Sequence, residues 1–345
     1  MSGSFTSDDC ALCDGRGTIA PMLVYAGIDE AGYGPMLGPL CVACSVFTIA
    51  DHDPDTAGPC DLWKRLNKAI CRQKSDSRRR IAVDDSKKLK LANDSKAHPL
   101  RYLERAILAF HTAATESCPT CDDQLLRDLQ TTIAPMPWYD SSTPLPVGQT
   151  ADEVRIAASR LRKAMMEQRI TCELLRCEAI DVEAFNRQAE LVGSKSTINF
   201  GAVMRLADAV WNTWPAAHPR IVVDRQGGRR RYLDELLLAY PDAKVQILAE
   251  SDTLSRYRLE RNGSLLTISF AVEAEAKHLP VALASMTAKY VRELFMIRLN
   301  RYFRSHMPEL KPTAGYTEDA RRYLAEIEPL IANLAVNPEA LVRRL

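Results

Sequence analysis

The sequence has no run of about 18 apolar residues, so no membrane-spanning helix is expected. Its first stretch, MSGSFTSDDCALCDGRG, lacks a basic segment followed by an apolar one and does not read as a secretory signal. Neither sign of charge is in excess: 45 Lys and Arg face 44 Asp and Glu, a net charge of +1. That excludes a global attraction for nucleic acid, and any basic surface must come from local clustering. The six histidines show no paired metal-ligand spacing, and no internal repeat is visible. What is present is ordinary for a globular chain: 345 residues, 46% apolar and 26% charged, enough for one large domain or two modest ones. Ten cysteines without a signal suggest a reducing compartment, with thiols or metal ligands rather than disulfides. A cytoplasmic monomer is expected.

Residues 1–20 read as a polar tail, and residues 21–345 as one domain. Residues 22–29 and 40–48 read as two strands around a loop rich in Gly and Pro. Helical spacing appears over 99–116, 151–169, 199–214, 284–307 and 317–335. TCELLRCEAI and IVVD (221–224) read as strands, and 243–276 as β-rich with a turn at Asn262–Gly263. Residues 131–150 hold four prolines and read as a long exposed loop. Residues 91–195 read as an inserted or elaborated region, and 284–345 as C-terminal helices. Strands alternating with helices predict an α/β architecture.

Three acidic sites share one placement. Asp29 and Glu30 end the first strand, Asp224 ends IVVD, and Glu273 and Glu275 stand near the end of the strand beginning LLTISF, where alternation predicts one face for both. Ligands of α/β sheets gather beyond strand ends. Carboxylates converging there repel unless a cation sits among them, and Mg²⁺ or Mn²⁺ is the natural guest. Two such ions about 4 Å apart clamp the attacking and leaving oxygens in phosphodiester hydrolysis. The plainer reading is a set of solvated acids at loop starts.

GIDEAGYGPMLGPL (27–40) resembles the first signature of the type 2 ribonucleases H, the ribonuclease HII and HIII family. In order after it, DDSKKL (84–89), VVDRQG (222–227), EAKHLPVALASMTAKYVRELFM (275–296) and GYTEDARRYL (315–324) are similar to that family's later motifs. The resemblance covers roughly 22–90 and 196–325. It implies a ribonuclease H-like α/β fold: a mixed central sheet flanked by helices, with an inserted helical subdomain and a C-terminal helical region. It implies catalytic, metal-binding acids at Asp29, Glu30, Asp224 and Glu275. Glu275 is preferred to Glu273 because the family's fourth acid precedes the helix-motif serine, here Ser285, by ten residues. It further implies two Mg²⁺ or Mn²⁺ ions and hydrolysis of the RNA strand of an RNA–DNA hybrid, or of duplex DNA containing ribonucleotides, leaving 5′-phosphate and 3′-hydroxyl ends. Substrate contacts would come from Gly32, Tyr33, Gly34, Lys87, Lys88, Ser285, Lys289, Arg292 and Tyr316. Tyr33 stands where the commoner family loop has arginine, as ribonuclease HIII also lacks it, and this removes a bidentate contact. Glu293 reads as a supporting or surface acid.

Cys10 and Cys13, with Cys118 and Cys121, form two C-x-x-C pairs that together would supply a tetrahedral zinc site, the first resembling a zinc knuckle. Free surface thiols are the alternative. Cys41 and Cys44, three apart on a strand, should face opposite sides as core residues. His278 reads as a loop residue or a supporting one, Arg229–Arg230–Arg231 as a solvated helix start or a phosphate contact, and Trp138–Tyr139 as a plug over the core. Two other functions compete with the nuclease: a nucleic-acid-binding relative without turnover, and a metal-dependent nuclease or phosphatase with another substrate.

Overall fold

Strand β1 (Met22–Ala31) is apolar on both faces, as a central strand must be. Its alternate residues feed two cores. Leu23, Tyr25 and Ala31 join one, and Val24, Ala26 and Ile28 the other. The computed structural model describes residues 22–53, 58–226 and 228–344. They build a seven-stranded mixed sheet in the order β5-β2-β1-β6-β9-β8-β7. Its members are β1, β2 (Leu40–Ala50), β5 (Ile170–Ile180), β6 (Arg220–Asp224), β7 (Lys244–Glu250), β8 (Leu254–Arg261) and β9 (Ser264–Ala271). The strands β3 (Ile70–Cys71) and β4 (Ile81–Ala82) pair separately. In the main sheet β1, β6 and β9 run parallel at the centre, and every other pairing is antiparallel. The expected mixed sheet flanked by helices is what the chain forms.

The helices are α1 (Leu62–Arg65), α2 (Ser86–Leu89), α3 (Arg101–Thr115), α4 (Asp122–Asp128), α5 (Ala151–Glu167), α6 (Val182–Val192), α7 (Lys195–Thr213), α8 (Leu233–Ala239), α9 (Leu279–His306) and α10 (Thr317–Asn333). Their ends follow local chemistry. Thr150 and Glu153 cap α5 reciprocally, and Asp181 caps α6 while Gly193 ends it in a left-handed turn. Helices α3, α5 and α9 cover one face of the sheet, and α6, α7 and α8 the other. At Asn262 and Gly263 φ is positive at both turn residues, as the tight hairpin between β8 and β9 requires.

Helix α9 starts five residues before the predicted 284, with Pro280 in its first turn, where a missing N–H costs nothing. This first turn lies directly on β1. A Cβ at Gly27 would stand 2.2 Å from the Pro280 carbonyl carbon, so only glycine allows the approach. Ser45, the neighbour of Gly27 on β2, donates a 2.7 Å hydrogen bond to the Pro280 carbonyl.

Residues 91–195 carry α3 to α6 and strand β5. Strand β5 closes the sheet beside β2, and α3 and α5 share a core with β1 and α9. The segment 131–150 is irregular, as predicted, but not exposed along its length. Trp138 and Tyr139 are buried, stacking on Phe303 and meeting Phe295 edge-on. Beneath them Arg298 grips Asp122 with two hydrogen bonds of 2.8 and 2.6 Å and donates to the Tyr139 carbonyl at 2.6 Å. Glu104, also buried, accepts from the Val147 and Gly148 amides and the Tyr290 hydroxyl. Cys41 and Cys44 do face opposite cores. Among the described residues, no helix is long and apolar enough to cross a membrane.

Candidate active site

The parallel register sets Ile28 opposite Val223, so Asp29 and Asp224 leave the sheet side by side. Both belong to their strands, β1 continuing to Ala31. Glu273 and Glu275 differ from expectation: β9 stops at Ala271, and the two acids sit on a turn rather than on one strand face. Glu273 takes a left-handed φ of 52° and is exposed. The following 3₁₀ turn carries Glu275 back toward Asp224. The Ala274 amide of that turn donates to Asp224 Oδ1 at 2.9 Å.

These four carboxylates perturb one another. Asp29 is 8% exposed. Burial first, then the charges of Glu30 and Asp224, push its carboxyl well above the usual range, against the Ser285 hydroxyl and the Glu30 amide, which favour the anion. That amide donates to Asp29 Oδ1 at 2.7 Å. Burial raises Glu30, while Asn199 and Lys87 oppose the rise. Burial raises Asp224 too, and the Ala274 amide and the Glu275 side chain oppose it. Glu275 is pushed up to about 7, by burial and then by the Asp224 charge, with Asp85 adding to the effect. Asp224 and Glu275 are therefore a coupled pair, both raised, in which each charge disfavours the other.

Two residues of this crevice were not singled out in the sequence. Asn199 on α7 is fully buried, and neither of its amide atoms has a hydrogen-bond partner. A polar side chain between Ile198 and Phe200 on a buried helical stripe was its signal. Asp85, which caps α2 by accepting from the Lys87 amide, is the other.

The expected substrate-contact residues divide. Lys87 is exposed and near enough to Glu30 and Asp224 to favour their charged forms. Lys88 is exposed and pairs with Asp84 at 3.6 Å. Gly34 is open, with nothing within 4 Å of an added Cβ, and Tyr33 is half-buried beside Glu30 and Arg229. Ser285 bonds the Ser86 hydroxyl at 3.1 Å next to Asp29. Tyr316 is half exposed as the residue before α10. Lys289, with 13% of its side chain exposed, is held by Glu293 at 2.9 Å. Arg292 does not reach the surface: it is fully buried and donates to the Leu37 and Ala314 carbonyls, both at 3.0 Å. The Gly32 Cβ position points at this guanidinium, 2.6 Å away, with φ at +88°. Gly32 therefore makes room for Arg292 rather than for a ligand. The Met36 and Leu37 amides bond the Gly315 carbonyl, closing the loop from inside.

The donor set fits a hard divalent cation by its chemistry: all oxygen, crowded, and with a buried Glu275 Oε2 that has no partner. Among the described residues, no group of three or more His, Cys, Asp or Glu side chains is arranged so that it could hold a metal ion. Of the expected zinc ligands, Cys10 and Cys13 lie outside the described residues, and Cys118 and Cys121 are partly buried free thiols. The arginine run is neutralised: Arg229, Arg230 and Arg231 pair with Glu235, Asp252 and Glu250. His278 precedes α9 and shares a 2.5 Å hydrogen bond with Tyr25.

No protein-family model matches the chain, and no curated protein matches its sequence. Among solved structures, it is similar to the ribonuclease HII of a PCNA complex from Archaeoglobus fulgidus, with 18% identity over 93% of this chain and 94% of that one, at a TM-score of 0.38. Ribonuclease H2 from Pyrococcus horikoshii OT3 gives 14% identity, 92% of both chains and 0.38. Bst-RNase HIII in complex with Mn²⁺ gives 17%, 99% of this chain, 74% of that one and 0.40. Likenesses this distant say nothing about what the chain does; that rests on the residues of the crevice.

Proposed function

We propose that this protein is a metal-dependent endonuclease of the ribonuclease H kind, hydrolysing the RNA strand of RNA–DNA hybrids, or ribonucleotides in duplex DNA, to 5′-phosphate and 3′-hydroxyl ends. One observation carries the reading. Four carboxylates from three separated segments, Asp29–Glu30, Asp224 and Glu275, lie near the ends of β1 and β6, where burial and one another's charges raise the carboxyls of Asp29, Asp224 and Glu275. The ordered motifs around the same residues support it. Asp29, Glu30, Asp224 and Glu275 would hold Mg²⁺ or Mn²⁺, which when bound supplies Lewis-acid activation of water and charge neutralisation at the leaving oxygen.

The chain's own groups do the rest. Lys87 offers a cation at the mouth of the crevice, where a backbone phosphate would sit. Gly34 leaves the loop open toward a ribose, and the nearby backbone N–H groups and Tyr33 hydroxyl are the donors and acceptors that would read a 2′-hydroxyl. Asn199, buried beside Glu30, favours its charged form and would orient that carboxylate by donating to it.

The test is cleavage of a labelled RNA–DNA hybrid, and of duplex DNA with one embedded ribonucleotide, in Mg²⁺ or Mn²⁺. Asp29→Asn should leave the fold intact and lower the rate by at least a hundredfold, as expected when a preorganised electrostatic group is lost. Protein that binds hybrid yet cuts neither substrate with either metal would sink the nuclease reading and favour a binding relative.

A further inference from the structure

Among the described residues, one half of the sheet face that carries α9 has no helix over it, and a cavity opens there instead. Beyond the crossing at Gly27, polar side chains stand in register across four strands. Tyr25 is opposite Arg220, Arg220 opposite Thr267, and Thr267 opposite Arg258. In the next row Ser269 is opposite Arg256. A cavity of about 260 Å³ opens over them, closed on its sides by Pro59, Leu248 and His278. The first turn of α9 separates it from the carboxylate crevice. Tyr25 and Asp29 are four residues apart on β1, ~13 Å along an extended strand.

Charge is left over in this cavity. The nearby run Arg229–Arg231 is fully paired with acids. Arg256, by contrast, bonds only the Ser269 hydroxyl among the described residues, at 3.1 Å. Arg258 has no partner among the described residues, and its Nε is buried without a hydrogen bond. Arg220 already donates to Thr267 Oγ1 at 2.8 Å. An unsatisfied buried donor is destabilising, so two adjacent guanidiniums without an acid suit an anionic guest. One carboxylate would neutralise only one of them. A phosphate monoester carries about −1.5 to −2 at pH 7, and its oxygens match the guanidinium fork. The apolar wall at Leu248 and Pro59 suits a base or sugar, and the cavity is at the small end for organic ligands.

We propose that this cavity is a phosphate-binding site separate from the carboxylate crevice, in which Arg256 and Arg258 hold the phosphate of a single nucleotide. The phosphate is a monoester, either of a free mononucleotide or at the 5′-phosphorylated end of a strand, which a short 5′-phosphorylated single-stranded DNA represents in the test. The site does not depend on the hydrolytic reading, so it is tested with EDTA present, where metal-dependent chemistry is silent.

The full chain is titrated calorimetrically with 5′-AMP, with adenosine, and with a short 5′-phosphorylated single-stranded DNA. Binding of 5′-AMP at least tenfold tighter than adenosine, weakened at least tenfold by Arg256→Ala with Arg258→Ala, supports the site and a free nucleotide as its guest. DNA binding that is lost in the same double variant, with 5′-AMP inert, supports the site with a strand as the source. Equal binding of 5′-AMP and adenosine, no binding of 5′-AMP or DNA, or undiminished binding by a double variant whose unliganded melting temperature matches the parent overturns it. The comparison of 5′-AMP with adenosine uses the parent protein alone, so it stands even if the double variant does not fold.

Discussion

Glu275 is the residue on which pH bears most directly. Its carboxyl is raised to about 7, so below that pH it is protonated, neutral and a poor ligand. Above it the carboxylate is ionised and available. Mn²⁺ uptake should therefore weaken as pH falls below about 7, by up to about tenfold per unit for one proton released, and level off above it. Calorimetry in buffers of different ionisation enthalpy would count that proton, and a pH-independent affinity from 5.5 to 8 would contradict the assignment. At this scale, much of the crevice was legible in the sequence. Asp29, Glu30 and Asp224 end apolar runs, a pattern visible without coordinates. Glu275 was separable from Glu273 only through the family spacing, because the physical reason is a left-handed backbone at Glu273 that no alternation rule anticipates. Arg292 was misplaced for a related reason. A basic residue beside a phosphate motif reads as exposed, and only the fold shows two carbonyls and a glycine built around it.

At the scale of elements, the contact between β1 and α9 decides where the acids stand. The helix is predicted by its spacing, but its early start is not, since Pro280 looks like a helix breaker until it is seen in the first turn. Gly27→Ala puts a methyl carbon into the Pro280–Val281 backbone, which cannot yield as a side chain would. Overpacking of this kind costs ~1–3 kcal/mol, and here the upper end is expected. A lowered urea midpoint with an unchanged slope would show it, and hybrid cleavage should fall as well, because the turn bearing Glu275 is displaced with the helix. A stability equal to the parent would mean the helix can slide. Strands β7 to β9 were legible as β-rich, whereas β5 was read as a strand without any sign that it closes the sheet, since pairing is set by residues more than a hundred positions away.

Across the whole molecule, the segment 91–195 is tied to α9 through buried charge. Arg298 on α9 and Asp122 on α4 are both essentially inaccessible, and the pair is bidentate. Arg298 also reaches Asp123, so the informative loss is the arginine: Arg298→Met leaves buried Asp122 with the Thr143 amide alone and should cost ~3–5 kcal/mol, read as a drop in the denaturant midpoint. Replacing both with apolar residues of similar volume should recover much of that loss. Composition could not reveal this tie, because balanced totals of acid and base conceal which charges are buried. The segment's helices were legible by period, but their union with the β1 core was not, and the Pro-rich stretch looked exposed because prolines mark loops whether or not Trp138 and Tyr139 lie beneath α9.

The burial of Arg292 has one more consequence. Its guanidinium holds the Leu37 carbonyl, while the Met36 and Leu37 amides bond the Gly315 carbonyl. A surface loop beside a crevice usually exchanges its amide protons with solvent within seconds to minutes of local opening. Here those two amides should exchange only when much of the molecule opens, on the slow scale of the core strands. The loop is then set before anything arrives, and little ordering entropy is left for a ligand to supply. Whatever bends to make the fit is the guest.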